Sequence, residues 1–127
     1  MKALVVDDSR AMRRIIAKLL VELGFEVHEA ASGLEAIQQA PQLDGLSVVL
    51  LDWNMPTMDG REVLERLRAD PKTADLPVMM VTTESEMEQV EVALNAGASE
   101  YLMKPFDRQA LLEKLLLLGF DPERKAA

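Results

Sequence analysis

Apolar and polar positions along the chain alternate between two periods. Ala3, Leu4, Val5 and Val6 form a continuous apolar run, as expected of a short strand buried on both faces. Behind it, Met12, Ile15, Ile16, Leu19, Leu20 and Leu23 recur at helical spacing, with Arg13, Arg14 and Lys18 on the opposite side. Asp8 or Ser9 can cap this helix, and Gly24 suits its end. The cycle then repeats. Residues 25–31 read as a strand and 33–40 as a short helix stopped by Pro41. Residues 46–51 read as a buried strand, 54–60 as a turn, and 61–70 as a helix with Val63, Leu64 and Leu67 inward. Pro77 opens a strand over 78–81, and 86–96 read as a helix with Met87, Val90 and Leu94 on one face. A last strand spans 101–103 and a last helix 107–118.

Strands alternating with helices predict an α/β fold, a three-layer sandwich with a five-stranded parallel sheet and helices on both faces. Five units suit an open sheet better than an eight-unit barrel. Residues 1–120 read as one compact unit, and 121–127 as a short tail with no room for an output domain. Composition narrows the partners. With 22 acidic against 14 basic side chains the net charge is −8, which disfavours nucleic-acid backbones and anionic membranes. No apolar stretch reaches the ~20 residues of a membrane span. The absence of cysteine excludes thiol and Cys–zinc chemistry and suits a reducing, cytoplasmic location.

Open parallel sheets bind ligands at the carboxyl ends of their strands, so the residues there carry the chemistry. Strand one ends in Asp7 and Asp8, strand three in Asp52, strand four in Thr82 and Thr83, and strand five in Lys104 and Pro105. Three clustered carboxylates repel one another unless a cation sits among them. An oxygen-only donor set selects Mg²⁺, Mn²⁺ or Ca²⁺. A lysine and a threonine hydroxyl beside such an ion are natural partners for phosphoryl oxygens, which points to phosphoryl transfer with a carboxylate as nucleophile. Singly, Asp7 and Asp8 read equally well as a helix cap, Asp52 as a turn residue and Lys104 as a solvated charge. Their recurrence at four strand ends argues for a site.

These residues, with their neighbours, make the chain similar to a known family. Val5-Val6-Asp7-Asp8, the run from Leu50 through Asp52-Trp53-Asn54-Met55-Pro56 to Asp59-Gly60, Val81-Thr82-Thr83, and Ala96-Gly97-Ala98 through Lys104-Pro105-Phe106 stand in order and at compatible spacing. The chain resembles the receiver domain of two-component response regulators, most closely the single-domain chemotaxis (CheY-like) type. The resemblance implies a flavodoxin-like sheet of order 2-1-3-4-5. It implies Asp52 as phosphoryl acceptor, Asp8 as a direct Mg²⁺ ligand, Asp7 acting through a metal-bound water, and the Asn54 main-chain carbonyl as a further ligand, with Mn²⁺ as an alternative ion. Lys104 would pair with the phosphoryl group and precede a cis peptide bond to Pro105. Thr82 would be the switch hydroxyl and Tyr101 the switch aromatic, while Asn54 and Glu84 would tune dephosphorylation. A sensor histidine kinase or histidine phosphotransfer domain would be the donor. The output would be a protein target bound at the helix 4–strand 5–helix 5 surface, by a monomer or a weak phosphorylation-dependent dimer.

Other residues bear on these expectations. Leu111, Leu112, Leu115 and Leu118 share one face of the last helix, leaving Leu117 opposite; Val92 is likewise off the core face of the preceding helix. Both belong to the surface that the family uses for partners. Arg10, Arg13, Arg14 and Lys18 form a basic helix face, read either as solvated or as a dock for the phosphodonor. His28, the sole histidine, reads as a surface residue on an edge strand, Trp53 as half exposed, and the methionines at 55, 58, 79, 80, 87 and 103 as packing. Two other chemistries fit less well. A haloacid-dehalogenase-like phosphohydrolase needs a second aspartate where Asn54 stands, and a flavin phosphate would be repelled by Asp7 and Asp8. Between Lys72 and Lys104 no basic residue occurs, while Asp75, Glu84, Glu86, Glu88, Glu91 and Glu100 do, which predicts an acidic output face.

Overall fold

A computed structural model describes residues 1–83 and 88–121. The strands are β1 (Lys2–Val6), β2 (Glu26–Ala30), β3 (Leu46–Asp52), β4 (Val78–Thr83) and β5 (Glu100–Lys104). All pair in parallel, in the order β2-β1-β3-β4-β5. The helices are α1 (Arg10–Glu22), α2 (Gly33–Gln39), α3 (Gly60–Ala69), α4 (Val90–Asn95) and α5 (Arg108–Leu117), with a 3-10 turn at Ala40–Gln42. Residues 84–87, which include Glu84, Glu86 and Met87, and 122–127, most of the expected tail, lie outside the described residues. Of the helix predicted over 86–96, the described residues show α4 at Val90–Asn95.

Each central strand is apolar throughout because it is covered twice. Successive side chains alternate between faces. Leu4, Val6, Val49, Leu51, Val78 and Met80 pack with Val63, Leu64 and Leu67 of α3 and with Val90 and Ala93 of α4. Ala3, Val5, Val48, Leu50, Met79 and Val81 pack with Ile16 and Leu20 of α1 and with Leu111, Leu112 and Leu115 of α5. Full burial of each large aliphatic side chain contributes about 1.5–3 kcal/mol, so the two layers fix the register of every strand.

That register brings the strand ends to one edge. Val6 pairs with Leu51, so Asp7 follows level with Asp52; Asp52 pairs with Val81, and Thr83 with Lys104. The helices begin at the same edge, α1 capped by Ser9, one of its two candidates, and α3 and α5 by aspartates. The Ser9 hydroxyl accepts the Met12 N–H at 3.2 Å, Asp59 accepts the Glu62 N–H at 3.0 Å, and Asp107 accepts the Ala110 N–H at 2.9 Å. Gly24 ends α1 with φ +93°, a conformation open to glycine.

Four expectations fail on burial. Ile15 is 56% exposed and Leu94 43% exposed, because the core-facing arcs of α1 and α4 are narrower than their apolar stripes. Trp53 is only 7% exposed, its ring lying against Gly60. Met103 faces solvent on the edge strand β5, not the core. His28 stands on the edge strand β2 and bonds Glu26 at 2.8 Å, a surface pair as expected. The acidic face also loses a member, since Glu100 is paired with Lys114 at 3.1 Å; Glu88 and Glu91 remain exposed. At the opposite end of the sheet, the Arg68 guanidinium donates to the carbonyls of Gly97 (2.8 Å), Leu76 (2.6 Å) and Ala74 (3.1 Å), tying α3 to the α4–β5 turn.

The β3–α3 loop holds one strained residue. Thr57 has φ +68°, and around it the Met58 N–H donates to the Pro56 carbonyl at 2.7 Å, a γ-turn of the positive-φ kind. A β-branched side chain there costs on the order of 1–3 kcal/mol. That exceeds the roughly 1 kcal/mol of unfolded-chain entropy that glycine adds. Thr57→Gly is expected to raise the urea midpoint without changing the slope of the transition. A lower midpoint would show that this turn is not strained.

Candidate functional site at the carboxyl edge of the sheet

The edge formed by β1, β3 and β5 gathers the predicted residues. One carboxylate oxygen from each of Asp7, Asp8 and Asp52 lies within 4.8 Å of the other two. Asp7 and Asp52 are buried, whereas Asp8 is exposed. Lys104 reaches in from the end of β5. Its Nζ stands 3.2 Å from Asp7 Oδ2 and 3.4 Å from Asp52 Oδ1, and the Lys104–Pro105 bond is cis as expected. Thr82 at the end of β4 is fully buried, its hydroxyl donating to the Thr83 carbonyl at 3.2 Å. Asn54 is exposed just past β3, and its N–H donates to Asp52 Oδ1 at 3.3 Å.

Backbone and side-chain groups hold this cluster in place. The Ser9 N–H donates to Asp7 Oδ1 at 2.8 Å, and Arg13 Nη1 donates to the Asp7 carbonyl at 2.8 Å. Arg13 also pairs with Glu29 at 3.2 Å. It is thus half-buried in a bridge between α1, the β1 terminus and β2, whereas Arg10, Arg14 and Lys18 are exposed, with Arg14 reaching the same Glu29 at 3.8 Å. Gly60 closes the far side. A Cβ there would stand 2.8 Å from the Trp53 Cα and 2.9 Å from the Asp52 carbonyl, both backbone atoms that cannot yield. The DG step of the turn therefore permits α3 to start against the strand end that carries Asp52.

The residues expected to form a partner face differ in exposure. Leu117 is 70% exposed on the outer side of α5, and Val92 and Tyr101 are half-buried. The structure brings Tyr101 against the α3–α4 layer, while Lys114 Nζ stands 4.0 Å from the centre of its ring. Neither Lys114 nor the bridging role of Arg13 was legible in the sequence. A lysine 13 positions after a tyrosine has no motif, and Arg13 reads as part of a basic helix face, either solvated or a dock for the phosphodonor.

Charge is the dominant feature of the site. Two buried carboxylates and an exposed third face one ammonium. Burial first, and then the neighbouring Asp7, push the Asp52 carboxyl up to about 6; Lys104 and the Asn54 N–H only partly offset this. Burial would lower the Lys104 pKa, but Asp52 and Asp7 together carry it above its usual value. The oxygen-only donors and the uncompensated negative charge fit a hard divalent cation of the Mg²⁺ type.

The raised pKa has a definite sign in stability. Below pH 3.8, the ordinary value, Asp52 is protonated whether the chain is folded or not. Between 3.8 and about 6 the folded state keeps a proton that the unfolded chain has released. Above that range both are ionised, and the folded state carries the whole cost of the buried anion, about 3 kcal/mol at most. Without divalent cations, Asp52→Asn is therefore expected to stabilise the protein at pH 7–8 by about 1–3 kcal/mol, with the gain vanishing below about pH 4. A gain independent of pH, measured by urea unfolding, would contradict this assignment.

Comparison with known proteins agrees with the geometry. The family model "Response regulator receiver domain" matches residues 3–116. A chemotaxis protein CheY homolog of Campylobacter jejuni is 47% identical over 116 residues, covering 91% of this chain and 89% of the relative. Chemotaxis protein CheY1 of Helicobacter pylori is 46% identical over 121 residues, covering 94% and 98%. Among solved structures, the Vibrio cholerae chemotaxis protein CheY4 superimposes with a TM-score of 0.85 at 35% identity, covering 91% of this chain and 96% of that one. The receiver domain of a Pseudomonas aeruginosa sensor histidine kinase, solved with a magnesium ion coordinated in its active-site cleft, gives 0.80 at 28% identity, covering 88% and 91%. With its sheet order, its acidic strand ends and a match spanning nearly its whole length, this chain belongs to the response regulator receiver-domain family.

Proposed function

We propose that the chain is a chemotaxis-type response regulator in which Asp52 accepts a phosphoryl group and thereby changes the affinity of a protein-binding face. The observation that carries the assignment is the Asp52 carboxylate itself. It is buried at the end of the central strand, within 4.8 Å of two other carboxylates and 3.4 Å from an ammonium. Such a group is a poor general base for a bulky substrate but a well-held nucleophile. One of its oxygens forms a bond to phosphorus as the donor's bond to phosphorus breaks, and the leaving group departs on the opposite side. From a phosphohistidine the leaving group is an imidazole; from acetyl phosphate it is acetate.

Asp7, Asp8, Asp52 and the Asn54 carbonyl would hold Mg²⁺, with Mn²⁺ as a substitute. The ion would supply positive charge to the phosphoryl oxygens and offset the repulsion among the carboxylates. Lys104, already bonded to Asp52, donates to the transferred group and replaces part of the attraction that Asp52 loses on becoming an acyl phosphate. The Thr82 hydroxyl, at the end of the neighbouring strand, is the group that turns toward the new phosphoryl oxygens. Tyr101 on β5 follows it inward. That motion remodels the face carrying Val92, Tyr101 and Leu117, where the downstream protein binds. Asn54 and Glu84 set how readily water hydrolyses the acyl phosphate. The same chemistry makes self-dephosphorylation inherent to the switch.

A sensor histidine kinase or histidine phosphotransfer domain in the cytoplasm supplies the phosphoryl group. Its dock is partly apolar. Exposed Ile15 lines a recess of about 170 Å³ with Met12, Lys104, Pro105 and Phe106, next to the Lys104 that reaches into the site. This exposed apolar residue beside Lys104 supports a dock there.

Two measurements test this reading. Intact mass after incubation with Mg²⁺ and acetyl phosphate is expected to show one added phosphoryl group, absent in Asp52→Asn and absent when Mg²⁺ is chelated. A phosphorylated Asp52→Asn would overturn the acceptor assignment, and multiple turnover of a phosphomonoester would favour a hydrolase. Ile15→Asp is expected to slow transfer from a phosphohistidine domain by on the order of tenfold or more while leaving acetyl phosphate labelling unchanged. Equal slowing with both donors would place the defect in the site, not in the dock.

A further inference from the structure

We propose that Lys114 is a positioning residue that biases Tyr101 toward its resting orientation, with Glu100 aiming the lysine. This rests on the reading of Tyr101 as the switch aromatic, and it assigns a restraint to that switch from side chains outside the phosphorylation site.

The contacts form a closed set. Glu100 Oε1 accepts the Tyr101 backbone N–H at 3.0 Å and the Lys114 ammonium at 3.1 Å. The same ammonium stands 4.0 Å from the centre of the Tyr101 ring. Both members of the ion pair are largely covered, with side-chain exposures of 23% and 19%, so solvent screens them less than an open surface pair. Lys114 is the basic residue of the last turn of α5, where a cation also meets the partial negative charge of the helix end. Three attractions therefore hold one ammonium at one place, above one aromatic face.

The bias follows from what each orientation keeps. The Glu100–Lys114 pair and the helix-end interaction involve no atom of the ring and survive any rotation of Tyr101. The contact between the ammonium and the ring does not survive, because Lys114 is anchored and cannot follow. Inward rotation thus removes one attraction specific to the resting state. A cation–π contact that is partly desolvated corresponds to about three- to tenfold in the ratio of the two orientations. Lys114 would set how strongly unphosphorylated protein is held off, without touching the phosphoryl group.

The chain has one tyrosine, so 3-fluorotyrosine labelling gives a single ¹⁹F signal that reports this ring. Its solvent-isotope shift between H₂O and D₂O measures the ring's exposure and does not depend on the nearby charge. In the wild type, the isotope shift is expected to fall on phosphorylation with Mg²⁺ and acetyl phosphate. In unphosphorylated Lys114→Met it should already lie part-way to the phosphorylated value, with the inward population raised about three- to tenfold. Lys114→Arg should restore the wild-type value, which a general packing defect would not allow. Glu100→Gln, which leaves Lys114 in the chain but removes its anchor, should shift the signal in the same direction by less. If the wild-type shift falls on phosphorylation but Lys114→Met matches the unphosphorylated wild type, the restraint is refuted and the switch stands. If the wild-type shift does not fall, the switch role of Tyr101 fails and the restraint with it.

Discussion

The structure depends on one electrostatic imbalance: the anionic edge formed by Asp7, Asp8 and Asp52 against, among the described residues, the ammonium of Lys104. Burial makes that imbalance expensive, and the raised pKa of Asp52 is its direct expression. Excess negative charge of this kind fits a hard divalent cation. On the proposed reading, conversion of the carboxylate to an acyl phosphate would move the new negative charge outward, onto oxygens that Lys104 and a divalent ion could reach. Family membership and chemistry agree here, but each rests on separate observations. The fold match would hold for any side chains at the strand ends, and the charge argument would hold on any scaffold that put these groups together.

The scaffold's contribution is register. Two apolar layers enclose the sheet, so a slip by one residue would turn every strand's apolar set to the wrong layer. Parallel pairing then aligns Asp7 with Asp52 and Thr83 with Lys104, with no direct interaction needed among them. Close backbone approach finishes the placement. Gly60 lets α3 begin against the Asp52–Trp53 peptide, and Arg13 and Ser9 fix the Asp7 loop through its carbonyl and carboxylate. The opposite end of the sheet is held by Arg68, which ties α3 to the turn before β5 and so clamps the frame of the site edge from behind.

Much of this was legible in the sequence, and the failures have a common cause. The strands were readable because burial on both faces makes them continuously apolar, and the site was readable because its groups fall at strand ends in a sheet whose binding edge is known in advance. Ile15 and Leu94 were misplaced because helical periodicity marks which residues are apolar, not how wide an arc the sheet covers. Ile15 is apolar for a surface recess beside Lys104. Trp53 was read as half exposed because it follows the acceptor in a loop, but the missing side chain at Gly60 makes room for its ring. Arg13, Arg68 and Lys114 were invisible for a different reason. Each acts on backbone carbonyls or on a ring distant in sequence, and no local pattern encodes such contacts.

The central claim is that Asp52 is a buried carboxylate in an under-compensated anion cluster. Its side-chain carboxyl carbon can be followed through a pH titration by ¹³C NMR, first without divalent ions and then with saturating Mg²⁺. The account predicts a midpoint near the value of about 6 without the ion and a fall of at least one unit when Mg²⁺ is added. An Asp52 midpoint at the ordinary value of 3.8 that Mg²⁺ leaves unmoved would contradict it.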